Sequence, residues 1–306
     1  MSSQNRLACL AGSIADLPTP FDEGGGLDAK AFARLCERQV EAGTPALVVG
    51  ETAGEASTLS LAEHDFLIRS AVEVVHGRTK VIAGAGSNST GHAIELARLA
   101  EAAGADAVMS VVPYYNKPMQ EGIAAHFQAI ALSTGLPIVL HDVPSRTIRG
   151  LADDTLLRLA ERRQFIGLRD DRGDVTRPLR LSGRLRSGFR LMSGDDATAL
   201  AYVASGGDGS ISVLANVTPD LCCAIHSSLR QGRLQTARYL QRRLTALQAC
   251  LAEESPAALK YALSLLGLMR PAMRLPLVEL DEPSKAAVAN ALMEVADEDL
   301  LGAAGA

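Results

Sequence analysis

The chain has 306 residues, with 30 Lys and Arg against 35 Asp and Glu, a formal net charge of −5. Charges of both signs are scattered, which leaves no basic stripe for nucleic acid and no polybasic patch for a membrane surface. The length allows a substantial buried core. Five cysteines (Cys9, Cys36, Cys222, Cys223 and Cys250) form an odd set with no C-x-x-C pair. A reduced compartment is therefore expected, with neither a zinc site nor a disulfide framework. The apolar run 7–17 is too short to span a bilayer. Its single preceding charge, Arg6, and its strand-like continuation argue against a signal peptide, so a cytoplasmic protein is expected.

Along the chain a short apolar run, a polar or glycine-rich break and an amphipathic helix recur. The apolar runs fall at 11–17, 46–49, 81–83, 107–112, 137–140, 165–168, 189–192 and 209–213. Helical periodicity occupies 29–42, 62–75, 91–103, 120–133 and 197–205, with Asp28 and Ser60 as N-cap residues. Strands alternating with helices in this way predict a parallel (β/α)8 TIM barrel over 8–230. No G-x-G-x-x-G follows the first strand, which counts against a dinucleotide-binding sheet. Beyond it, 233–251, 256–268 and 283–296 read as three helices, a small all-helical C-terminal unit over 231–306. Pro271 and Pro276 lie in the last connection, where a missing N–H is best tolerated.

Active sites of such barrels sit at the C-terminal strand ends and the loops that follow. That rule selects Asp16, Glu51, Thr52, Ala53, Tyr114, Tyr115, His141, Asp142, Arg146, Arg169, Asp170, Gly194, Asp195 and Ile211. They lie in the stretches Val111-Val-Pro-Tyr-Tyr-Asn-Lys-Pro-Met-Gln-Glu-Gly122, Val139-Leu-His-Asp-Val-Pro-Ser-Arg-Thr147, Phe165-Ile-Gly-Leu-Arg-Asp170 and Leu191-Met-Ser-Gly-Asp-Asp196, among others. In order and spacing these stretches resemble the dihydrodipicolinate synthase branch of the Schiff-base aldolase superfamily, which also holds N-acetylneuraminate lyase. The resemblance covers nearly the whole chain and implies a barrel with a helical C-terminal unit and no cofactor. It places Thr52 and Tyr115 in the family's proton-relay triad and Arg146 at the carboxylate of a small-molecule substrate. It also implies that the Thr52–Ala53 backbone holds the carboxylate of pyruvate, with Gly194 and Ile211 beside it. The family's tyrosine pair lies at a dimer contact, which implies a homo-oligomer, a dimer of dimers (a homotetramer).

Two departures stand out. The resemblance puts the imine-forming lysine where this chain has Arg169. An imine needs a neutral primary amine, and a guanidinium stays protonated and delocalised. His141 stands where the triad's third member, a tyrosine, is expected; imidazole can still pass protons. Asp16 and Glu51 fall where the family has small residues. Either they neutralise Arg169, because a buried cation is expensive unless paired, or they point to solvent, as acids usually do. A metal held by His141, Asp142, Asp16 and Glu51 lacks any ligand spacing to support it. Asp196 is expected to cap the helix after it. Among the lysines only Lys117 is on a loop at the correct end. At the positions of the family's lysine-feedback site, Leu61 and His92 replace the usual residues, so inhibition by lysine is expected to be weak or absent. Three readings stay open: a lyase-class enzyme acting on a 2-oxo acid or related carboxylate without an imine; a non-catalytic carboxylate-binding or regulatory relative; and a true synthase using a relocated nucleophile such as Lys117.

Overall fold

The computed structural model describes residues 10–253 and 255–304. The beginning of the apolar run at 7–9, with Cys9, and the last two residues of the C-terminal unit lie outside the described residues. Eight strands close a parallel barrel in sequence order: β1 Gly12–Asp16, β2 Ala46–Val49, β3 Lys80–Gly84, β4 Ala107–Val111, β5 Ile138–Asp142, β6 Phe165–Asp170, β7 Arg190–Ser193 and β8 Gly209–Ser212. Helices α1 Ala29–Glu41, α2 Leu61–Val75, α3 Thr90–Ala103 and α4 Gln120–Ser133 return the chain after the first four strands. Asp28 caps α1 by accepting from the Ala31 N–H, and Ser60 forms a capping box with Glu63 on α2. Later connections are shorter: α5 Pro144–Thr147, α6 Asp153–Ala160, α7 Arg177–Leu181, α8 Ala199–Ala204 and α9 Pro219–Arg230. None of α5, α6, α7 and α9 is anticipated by the sequence reading.

The core has two layers. Apolar residues between sheet and helices form the larger one, and Ile14, Val48, Met109, Val139, Ile166, Met192 and Ile211 fill part of the barrel interior. Side chains two apart on a strand share a face, so Asp16 sits above Ile14 and His141 above Val139, both pointing inward. Strand β6 carries an irregularity: Ile138 pairs with Phe165 but Val139 pairs with Gly167. The extra residue resets the alternation. Leu168 then faces the helices, and Arg169, in register with His141 and Met192, points into the barrel mouth.

The C-terminal unit holds four helices, α10 Leu234–Arg243, α11 Thr245–Glu253, α12 Ala257–Leu265 and α13 Glu282–Ala304. The single helix expected at 233–251 is broken at Leu244. The unit clasps the loop after β2. Lys260, fully buried on α12, pairs with Glu55 and donates to the Ala272 carbonyl at 2.9 Å. The Arg274 backbone N–H donates to Glu55 at 3.1 Å, and its side chain pairs with Glu63 at 2.5 Å. Both cations lie over the Phe21 ring, at 4.1 and 4.3 Å.

Candidate functional site

A closed cluster of five ionisable side chains occupies the barrel mouth, all buried or nearly so. Arg169 Nη1 donates to Asp16 Oδ2 at 2.7 Å and lies 3.7 Å from Glu51 Oε2. Its Nε lies 3.2 Å from Asp171 Oδ2. His141 bridges the same acids: Nδ1 is 2.8 Å from Glu51 Oε1 and Nε2 is 2.5 Å from Asp171 Oδ2. Burial alone would strip the imidazole of its proton. The carboxylates of Glu51 and Asp171 outweigh that and lift its pKa to about 9. An imidazolium with both N–H groups committed is a fixed cation at neutral pH.

The acids divide. Burial pushes Asp16 up to about 6 despite the pull of Arg169. Burial also works against Glu51, but His141 and Arg169 hold its carboxyl well below the usual range. Asp171 is lowered in the same way by Arg169 and His141. Burial would release the Arg169 proton, yet Asp171, Asp16 and Glu51 raise its pKa instead. Between about pH 6 and about pH 9 three carboxylates face two cations, leaving one negative charge in excess. Oδ1 of Asp16 and Oδ1 of Asp171 have no hydrogen-bond partner.

Asp171 is the member that the sequence reading misses. Its backbone N–H bonds to the Asp142 carbonyl at 2.9 Å, which turns the side chain across the mouth. It fits only because residue 194 is glycine: a Cβ there would stand 1.3 Å from Asp171 Oδ1. The neighbouring acids Asp142 and Asp170 face the other way. They pair with Arg177, buried between sheet and helices, at 2.8 and 3.1 Å, and Tyr202 donates to Asp170 at 3.2 Å.

Beside the cluster opens a cavity of about 670 Å³, lined by Glu51, Thr52, Asn88, Tyr114, Arg146 and Leu277 among others. Arg146 sits on α5, exposed, and makes no ion pair among the described residues. Thr52 follows β2, and its N–H donates to the Glu51 carboxylate. Ala53 and Ile211 are fully buried, Ile211 in the layer that fills the barrel interior. Tyr114 lines the cavity, whereas Tyr115, with a left-handed φ of 70°, turns outward and is 84% exposed. Asp196 does not cap α8 as expected. It reaches across to the N–H groups of Val213 and Leu214, and Asp195 binds the turn at Ala197 instead.

None of the five lysines lines the cavity. Lys30 and Lys117 are exposed, Lys80 pairs with Asp106 at 2.9 Å and Lys285 with Glu282 at 2.9 Å. Lys260 lies behind Glu55; burial lowers its pKa against the pull of that carboxylate. Among the described residues no group of three or more His, Cys, Asp and Glu is placed to hold a metal ion, and no helix is long and apolar enough to cross a membrane.

Comparison with known proteins agrees with the geometry. The model of the Dihydrodipicolinate synthetase family matches residues 9–295. The chain is 48% identical over 280 residues to a 4-hydroxy-tetrahydrodipicolinate synthase of Hyphomonas neptunium, covering 90% of this chain and 95% of that one. A Gluconobacter oxydans protein of the same name is 44% identical, covering 92% and 95%. Among solved structures, the dihydrodipicolinate synthase of Acinetobacter baumannii complexed with pyruvate superposes with a TM-score of 0.91 at 41% identity, covering 94% of this chain and 99% of that one. With the family model spanning the barrel and most of the C-terminal helices, the chain belongs to the dihydrodipicolinate synthetase family.

Proposed function

We propose that this protein receives a 2-oxo acid or other small carboxylate at the barrel mouth and does not form a lysine–pyruvate imine. The observation that carries the reading is Arg169, which points into the mouth from β6 and is held by three carboxylates. Attack on a carbonyl requires a neutral amine. A guanidinium clamped by acids is further from neutrality than one in water. Arg146, uncommitted at the cavity rim, supplies the fork that suits a ligand's carboxylate.

Within that reading the lyase class follows the family. A non-catalytic, carboxylate-sensing role is favoured by one observation, the engagement of both His141 ring nitrogens, which leaves the imidazole no proton to move without breaking an ion pair. Lys117 as a relocated nucleophile is disfavoured by its exposure and by its place outside the residues that line the cavity. A homo-oligomer in a reducing cytoplasm remains part of the proposal. Tyr115 and Met119, both more than four-fifths exposed beside the mouth, are apolar surface that a second copy would cover.

The test is borohydride reduction in the presence of pyruvate, read by intact mass and peptide mapping. The expected result is no adduct, with Arg169→Lys as the comparison protein. A pyruvate adduct on any of the five lysines of the unaltered chain sinks the proposal.

A further inference from the structure

At the inner end of the cavity the donors around Glu51 are taken, and the buried Arg169 Nε, which makes no hydrogen bond, lies 3.2 Å from Asp171 Oδ2. The Thr52 N–H donates to Oε2 of Glu51, the residue immediately before it. The other oxygen of Glu51 is bound to His141 at 2.8 Å. The second His141 nitrogen is taken by Asp171 and the Arg169 Nη1 by Asp16. Glu51 is itself part of the cavity wall. A carboxylate leaving water needs donors or cations of its own. A ligand carboxylate arriving here finds the Thr52 N–H and both His141 nitrogens occupied and meets a cluster with one negative charge in excess.

We infer that Glu51 is the specificity-determining residue of the site, a tethered carboxylate that fills the inner seat and keeps ligand carboxylates out of it. This rests on the reading that the site takes small carboxylates, and it says where they go. The ligand's carboxylate is received at the rim, by Arg146, and an acid as small as pyruvate is not held at the strand ends. The tether decides the competition. An acceptor one residue from its donor acts at an effective concentration far above that of a free metabolite.

The experiment follows the Thr52 amide resonance of isotope-labelled protein during a pyruvate titration to about ten millimolar, the range in which weak small-acid binding becomes visible. Calorimetry on Glu51→Ala and Glu51→Gln accompanies it. The wild-type Thr52 resonance is expected not to shift saturably. Glu51→Ala frees the N–H and is expected to bind pyruvate at least about tenfold more tightly than wild type. Glu51→Gln, whose amide oxygen still accepts from Thr52, is expected to stay closed. A saturable wild-type shift overturns the inference, whether or not Glu51→Ala folds. Pyruvate binding by Glu51→Gln equal to that of Glu51→Ala also overturns it, because charge and not occupancy would then be the barrier. In Glu51→Ala, pyruvate binding that survives Arg146→Ala places the acid at the inner seat, as inferred; binding lost with Arg146 places it at the rim and refutes the assignment. The earlier reading fails separately, if wild type and Arg146→Ala bind succinate equally.

Discussion

Replacing Arg169 with methionine keeps roughly its length, removes its charge, and leaves three buried carboxylates facing His141 alone. At an effective dielectric constant near 20, a unit pair at the 2.7 Å of Asp16 attracts by about 6 kcal/mol, and one at the 3.2 Å of Asp171 by about 5 kcal/mol. Most of that offsets the desolvation of the guanidinium and the acids, so the measurable loss on breaking such a cluster is about 3–5 kcal/mol. For a chain of 306 residues that is a fall in melting temperature of roughly 5–8 °C. The deficit must depend on pH with a definite sign. Asp16 already titrates near 6 in the folded protein, above its unfolded value of 3.8. Loss of Arg169 raises it further and removes the main cause of the depression at Asp171. A carboxyl raised on folding costs stability as pH climbs through its folded pKa. The gap between Arg169→Met and wild type should therefore widen from pH 5 to pH 8. Calorimetric melting at fixed scan rate across that range measures it. Equal melting temperatures at pH 8, or a gap that shrinks as pH rises, would refute the idea that Arg169 is held in place as the counter-ion of these acids.

Three further outcomes follow from the same geometry. His141 is raised on folding from 6.5 to about 9, so its stabilisation is complete below pH 6.5 and lost as pH rises through 9. That is worth about 3 kcal/mol; wild-type melting should fall between pH 7 and pH 9.5, and His141→Asn should flatten the decline. Gly194→Ala sets a methyl on Asp171 and should cost at least about 2 kcal/mol in denaturant unfolding; Asp171→Ala in the same chain should recover most of it. Lys260→Met strands Glu55 in the clasp between barrel and C-terminal unit and should cost about 3–5 kcal/mol. The double change with Glu55→Gln should cost much less than the sum, and an additive result would remove the coupling.

The eight strands were legible because a buried parallel strand reads as a short apolar run, and each begins or ends within a few residues of its expected place. The helices that escaped notice have physical reasons. Helices α5 and α7 have four and five residues, too few for a period to show. Helix α9 starts at Pro219, directly after the turn that follows β8. The break at Leu244 is a helical φ/ψ that leaves the amphipathic pattern almost continuous. In the site, the position of Arg169 and the presence of two acids at strand ends were readable from the motifs. Asp171 was not, because the apolar run stops at Leu168 and nothing local shows that β6 continues to Asp170. The outward turn of Tyr115 depends on one left-handed residue that no composition signals.

The irregularity in β6 makes strand parity a heritable setting of this site. One extra residue near the floor of the barrel decides whether odd or even positions of the next turn see the mouth. Pairing the same residues with β5 without that irregularity would present Leu168 and Asp170 to the cavity and send Arg169 into the apolar layer beneath the helices. Every substitution tolerated at 169 is therefore conditional on a backbone feature several residues upstream. An attempt to install new chemistry at this strand end has to preserve the pairing of Arg169 with His141 as strictly as the identity of the residue placed there.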